Sequence, residues 1–209
     1  MPSTQTLKID DIRTDGDIQP REAINEDVVA EYAARMEEGD TFPAVVVYAD
    51  GSDNWLADGY HRVMAATRNG WIAIDAEVRK GTKTDAMWFA SSANRANGLR
   101  MTNADKKRAV MHAVKARPSE SDNAIAKHVG VSQPTVTKYR TALEATSKVL
   151  KSNTRTTSDG RTINTANIGR KPKPANDDYE FVEGQDESTS EIIDTTTGEV
   201  LENAAVVTT

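Results

Sequence analysis

Two short stretches of this sequence gather residue types able to do chemistry. The first is Asp58-Gly59-Tyr60-His61-Arg62, which reads as the end of a strand entering a helix. Free backbone N–H groups and the helix dipole at such a junction favour an anion. Gly59 lets the backbone approach a phosphate closely, and His61 and Arg62 supply donors and positive charge. A plainer reading makes Gly59 a tight turn and pairs Arg62 with an acid such as Asp58. These five residues by themselves favour the plainer reading.

The second stretch runs from Asp122 to Thr141 and has helix-turn-helix spacing. Ile125 and Ala126 face inward from the first helix, Ala126 being small where the helices cross. Gly130 permits the left-handed backbone of the turn, and Val131, Val136 and Tyr139 fill the space between the helices. Ser132 caps the second helix, and Pro134 in its first turn costs no helical hydrogen bond. The residues read as outward are Gln133, Thr135, Thr137, Lys138 and Arg140, and Ser132 opens the same ridge. Gln133 and Thr137 are expected to read base edges, and Lys138 and Arg140 to contact phosphates. Upstream, Lys106, Lys107 and Arg108 would add positioning contacts. The bland alternative is a helix pair packed for stability alone.

Charge separates along the chain in a way that bears on this choice. The net charge of −6 over 209 residues conceals three blocks. Residues 1–99 carry −7, residues 100–176 carry +11 and residues 177–209 carry −10. A +11 segment attracts a phosphate backbone, and it holds the helix-turn-helix stretch. Basic runs are more commonly solvated helix faces, so charge supports DNA binding only together with the motif. The chain has no cysteine, which excludes disulfides, thiolate zinc clusters and thiol nucleophiles. Three histidines make a metal site a poor expectation. No stretch approaches the roughly 18–20 apolar residues of a spanning helix, and a cytoplasmic location is expected.

The elements that must position these residues follow from periodicity. Leu7, Ile9 and Ile12 open a strand-like region, and Ala44–Tyr48 is the clearest strand. Between them Asn25 caps a helix carrying Val28, Val29, Tyr32, Ala33 and Met36, which stops at Gly39. The Asp50–Asp53 turn joins Val45–Tyr48 to Trp55–Ala57 as a hairpin. A helix follows Gly59, and Trp71–Val78 is one more strand. Beyond Thr84 helices take over, at about 85–97, 103–116, 122–129 and 133–150. Their N-caps are Thr102, Ser121 and Ser132, and Thr102 to Asp105 forms a capping box. Past Lys151 a flexible tail is expected, within which Ile192, Ile193, Val200 and Leu201 flank a weak hairpin.

These residues carry a resemblance. Gln19-Pro20-Arg21, the helix around Val28–Met36, Gly39, Pro43, the strand Val45–Tyr48 and then Gly59-Tyr60-His61-Arg62-Val63-Met64-Ala65-Ala66 resemble the N-terminal domain of the ParB family of partition proteins. The resemblance covers about residues 7–145. It implies the ParB/sulfiredoxin fold and a site formed by a Gln-Pro-Arg box and a Gly-Glu-Arg-Arg box, which binds cytidine triphosphate in chromosomal members. Tyr60-His61 stand where that second box has Glu-Arg, so Arg21, Gly59 and Arg62 carry over. Sulfiredoxin has Gly-Cys-His-Arg there, and with Tyr60 in place of the cysteine sulfinic acid reduction is excluded. The stretch from Ala93-Asn94-Arg95 to Leu99-Arg100-Met101-Thr102 is closer to plasmid, phage and antibiotic-cluster regulators than to chromosomal partition proteins.

The expectation is therefore an α+β chain. A small ParB/sulfiredoxin-like domain spans residues 1–84, an all-α helix-turn-helix domain spans 85–150, and a linker with a disordered acidic tail spans 151–209. Its expected function is sequence-specific binding of double-stranded DNA in transcriptional regulation or in plasmid or phage partition, as a homodimer. The nucleotide site comprises Arg21, Gly59, His61 and Arg62, and takes CTP or ATP with Mg2+. Two other readings stand beside it. One is a nucleotidase or nuclease of the same fold. The other is an interaction protein whose acidic tail contacts its own basic block or another protein.

Overall fold

The computed structural model describes residues 3–93, 101–166, 192–193 and 200–201. The chain divides into two units, Met1–Ile168 and Gly169–Thr209.

The first unit opens on a five-stranded mixed sheet with the order β1-β5-β3-β4-β2. Its strands are β1 (Ser3–Lys8), β2 (Ile12–Arg13), β3 (Val45–Ala49), β4 (Asn54–Asp58) and β5 (Ala73–Lys80). β3 takes a central place because Val45, Val46 and Val47 are all buried, so both of its faces must be covered. Val45 and Val47 pack with Leu56 under α1 (Glu26–Glu37) and α2 (Tyr60–Arg68). Val46 and Ala57 point the other way, against Ile18 and against Ala86 and Ala90 of α3 (Lys83–Ala93). This alternation is the period of two of a pleated strand. The β3–β4 turn is held by Asp50, whose carboxylate accepts from Ser52 N, Asp53 N and Trp55 Nε1 at 2.8–3.0 Å.

Local chemistry fixes the helix ends. Asn25 Oδ1 accepts from Asp27 N and Val28 N to start α1. Thr102 and Asp105 complete the expected capping box on α4 (Asn103–Ala116), and Ser121 caps α5 (Asp122–Val129). Gly130 ends α5 with φ of 82°, in the left-handed region glycine tolerates. α6 (Gln133–Ala145) begins at Ser132. The Ser132 hydroxyl, however, bonds to the Thr135 hydroxyl at 2.8 Å and caps no backbone N–H. α4, α5 and α6 enclose a second core around Val110, Ala113, Val114, Ile125, Ala126, Val136 and Leu143, with Val131 and Tyr139 packed on it.

Two further expectations differ from the structure. α6 stops at Ala145 short of Leu150, where Ser147 turns to φ 54°. The segment after Lys151, expected to be flexible, contains an antiparallel hairpin of β6 (Thr154–Thr156) and β7 (Thr162–Asn164). This hairpin is anchored by backbone bonds Ser121 N to Thr156 O and Thr156 N to Ser119 O, both 2.7 Å. In the second unit β8 (Ile192–Ile193) pairs antiparallel with β9 (Val200–Leu201), the hairpin expected there. The rest of the acidic segment and residues 94–100, which carry much of the antibiotic-regulator resemblance, lie outside the described residues.

Candidate functional site

The turn from β4 into α2 positions the first site. Gly59 sits at the N-cap of α2 with φ of 103°, and no side chain caps the helix there. A Cβ on Gly59 would lie 2.6 Å from Val45 Cγ1, so only glycine passes close to β3 at this point. The first turn of α2 contains no acidic residue, which leaves its positive end uncompensated by the helix itself. This end opens on a cavity of about 360 Å3 lined by Gln19, Arg21, Tyr32, Phe42, Gly59, His61 and Arg62, among others. All four residues expected to hold a nucleotide border it.

Their states differ. Arg62 is committed to the fold: its Nη2 donates to Asp58 Oδ2 at 2.8 Å, and its Nη1 donates to Ala44 O at 2.9 Å and to Pro43 O. The plainer reading of Arg62 as the partner of Asp58 is thus realised, and the arginine braces the β4–α2 turn against the approach to β3. His61 Nε2 accepts from Asn25 N at 3.2 Å, which requires the ring proton on Nδ1. Burial, reinforced by the neighbouring Arg21, pushes its pKa down. The positive charge expected of His61 is therefore disfavoured, and Nδ1–H is what it can offer a ligand. Tyr60 turns inward, donating its hydroxyl to Leu56 O at 3.0 Å, and burial raises its pKa.

Arg21 is mostly buried, and its Nη1 lies 3.9 Å from Asp105 Oδ2 at the start of α4. Asp105 also accepts from Glu22 N at 2.9 Å and Thr102 N at 3.0 Å. Burial raises its pKa, but these bonds and Arg21 outweigh it and the net shift is downward. Gln19 adds a donor that the residue-level expectation omitted: its Nε2 is buried without a hydrogen-bond partner among the described residues. It belongs to the same Gln-Pro-Arg run as Arg21, and that run was the signal for it. A cavity this size lies within the roughly 300–1,000 Å3 of small-molecule sites. Gln19, Arg21, His61 Nδ1–H and the first-turn N–H groups of α2 suit a phosphate-bearing ligand. Asp58, the carboxylate at this cavity, already pairs with Arg62. Among the described residues no group of three His, Cys, Asp or Glu could hold a metal ion.

The second site is the α5–α6 pair. Gln133, Thr137 and Lys138 are exposed, Thr135 is half-buried and Ser132 is exposed at the helix start. Thr137 Oγ1 donates to Asp122 Oδ2 at 2.6 Å and accepts from Gln133 Nε2 at 2.9 Å. This chain orients the Gln133 amide on the surface. Arg140 does not join the ridge. It is 4% exposed, donating from Nε to Asp122 Oδ1 at 2.6 Å and from its two terminal nitrogens to Pro118 O and Glu120 O. The expectation of a phosphate contact is corrected: Arg140 lies four residues after buried Val136 and three before buried Leu143, on the inward face.

Arg108 is likewise engaged elsewhere. Its Nη2 meets Asp17 Oδ1 at 2.5 Å and its Nε donates to Gln19 O at 3.0 Å, so it ties α4 to the loop carrying Arg21. Lys107 and Arg108 border a separate cavity with Asp17, Glu22, His112 and Lys115, away from the groove that Gln133 and Thr137 line. Lys106 is exposed on α4.

Together these features define an α+β domain with an anion-suited pocket, followed by a helical module. Residues 1–95 match the family described as ParB N-terminal domain, and this part of the chain is similar to that family. Over 123 residues the chain is 33% identical to the streptomycin biosynthesis operon possible regulatory protein of Streptomyces griseus, covering 59% of this chain and 34% of that protein. Over 129 residues it is 29% identical to the transcriptional regulator NovG of Streptomyces niveus, covering 61% and 40%. The chain thus spans between a third and two fifths of the length of these relatives. Among solved structures it is similar to the truncated chromosome-partitioning protein ParB from Caulobacter crescentus complexed to the centromeric parS site. That match has a TM-score of 0.41 and 16% identity, over 68% of this chain and 75% of the other. It is also similar to sulfiredoxin from Arabidopsis thaliana, with a TM-score of 0.35 and 20% identity over 42% and 97%. No described helix is long and apolar enough to cross a membrane.

Proposed function

We propose that this chain is a DNA-binding regulator of the ParB-like type, in which the β4–α2 pocket takes a nucleoside triphosphate and the α5–α6 pair reads duplex DNA. The observation that carries the DNA reading is the ridge at the start of α6. Gln133 and Thr137 are exposed and mutually bonded on a helix whose inner face is fixed by Val136, Arg140 and Leu143. A prearranged amide beside a hydroxyl suits base-edge contacts, and exposed Lys138 suits a phosphate. The regulator names of the two Streptomyces relatives and the basic block at 100–176 support the same reading. In this proposal residues 1–84 hold the nucleotide, residues 85–150 hold the DNA, and two copies read paired half-sites.

The test is retention of genomic duplex fragments in a gel-shift experiment at low salt, with and without CTP or ATP. Retention that weakens steeply with salt, and unequally between fragments, supports the proposal. No retention of any duplex at low salt overturns it. The nucleotidase and nuclease readings find less support, because among the described residues Asp58 is paired with Arg62 and His61 Nε2 already accepts from Asn25 N.

A further inference from the structure

The β6–β7 hairpin has no role in the reading above, yet it is built onto the same helices. Thr156 bonds through its backbone to both Ser119 and Ser121, and Glu120 and Thr156 form a parallel bridge. The segment before α5 therefore acts as a third strand for the hairpin. Arg155 is 7% exposed, and its Nη2 donates to Glu144 Oε1 of α6 at 2.8 Å. The hairpin is thus fixed to the segment before α5 by two backbone bonds and to α6 by a mostly buried ion pair.

Between them runs a groove of about 750 Å3. Gln133, Thr137 and Thr141 of α6 form one wall, and Lys151, Asn153 and Thr157 form the other. The first wall is the ridge already assigned to DNA. The acids in the groove are neutralised, Asp122 by Arg140 at 2.6 Å and Glu144 by Arg155 at 2.8 Å. That leaves Lys151 as an exposed cation there. At the hairpin tip Arg161 is 81% exposed and, among the described residues, pairs with half-exposed Asp159, a pairing that a phosphate can replace at little cost.

We infer that this groove holds the sugar-phosphate backbone of one DNA strand while α6 lies in the adjoining major groove, so that the hairpin is a second DNA-contacting element. The inference rests on the DNA-binding reading above. A walled groove of hydroxyls, amides and cations beside a base-reading edge matches a strand whose phosphates need donors and whose sequence is read on one side only.

The full-length chain, its Lys151→Ala/Asn153→Ala double variant, Arg161→Ala and Gln133→Ala are compared by fluorescence anisotropy on a duplex enriched from random DNA, over a range of salt. The hairpin variants are expected to bind both this duplex and random DNA several-fold more weakly. The double variant should lower the slope of log affinity against log salt by about 0.9, one phosphate contact. Gln133→Ala should instead narrow the gap between the two duplexes. Unchanged affinity and slope in both hairpin variants, while Gln133→Ala still acts, overturns the hairpin's role and leaves the α6 reading standing. Failure of the unaltered chain to bind any duplex overturns both.

Discussion

Arg140 Nε donates to Asp122 Oδ1 at 2.6 Å, with the arginine side chain only 4% exposed. This pair locks the first residue of α5 to the middle of α6, and two backbone carbonyls complete the arginine's shell. The same Asp122 carboxylate holds Thr137, so the pair also sets the ridge. Arg140→Ala is expected to lower stability by about 3–5 kcal/mol, because it empties a buried arginine site and leaves the Asp122 carboxylate, only 18% exposed, without its cation. Urea unfolding followed by circular dichroism measures this. A variant as stable as the parent, yet weaker on DNA, would restore Arg140 to the phosphate contacts.

Lys138→Ala and Gln133→Ala should differ in kind. The lysine variant should weaken all duplexes alike and reduce the salt slope by about 1. The glutamine variant should cost about 1–3 kcal/mol on the preferred duplex and little on random DNA. Parallel titrations of the two duplexes distinguish these outcomes.

Gly59→Ala should destabilise the N-terminal domain by about 1–3 kcal/mol, the cost of overpacking. Its new methyl would meet Val45 at 2.6 Å at a φ of 103°. Loss of nucleotide binding is expected with it, since the β4–α2 turn must shift. Arg21→Ala should separate the two effects by abolishing the thermal upshift given by CTP or ATP while the domain stays folded. An upshift retained in Arg21→Ala would remove that residue from the pocket's function.

His112 gives a pH dependence with a definite sign. Its side chain is 2% exposed, and burial lowers its pKa from 6.5 to about 4, with Asp17, Arg108 and Lys115 around it. The folded state thus resists protonation that the unfolded chain accepts. Stability from this group is whole above pH 6.5, falls as pH drops toward 4 and is flat below, a loss of about 3 kcal/mol in all. His61 shifts in the same direction. Urea midpoints between pH 4 and 7 should slope downward with acid, and His112→Gln should flatten most of that slope.

What was legible in the sequence follows from where the determining forces lie. The bounds of α4 and α5 were readable because Thr102, Ser121 and Gly130 act within a few residues of themselves. β3 was readable because three buried valines in a row fit only a covered strand. The convergence of Arg21 on Gly59, His61 and Arg62 was legible through the resemblance alone, since no local pattern brings residues forty apart together. Arg140 was misplaced because its polarity was weighed above its position between Val136 and Leu143. The β6–β7 hairpin was missed because three-residue strands carry almost no periodic signal, and their anchors, Ser119, Ser121 and Glu144, are distant in sequence. Asp105 looked like a cap alone, although it also meets Arg21.

Asp17 gathers Arg108, His112 and Lys115 from α4 within 2.5–3.8 Å, and Asp105, one turn earlier in α4, holds the same loop at Glu22 N. The stretch matched to the ParB N-terminal domain ends at residue 95, before every one of these tethers. A truncated fragment cut at that border would carry the pocket's lining but not its scaffolding, with Arg21 set loose from its carboxylate. Ligand titrations on such a fragment would therefore understate the affinity of the intact chain.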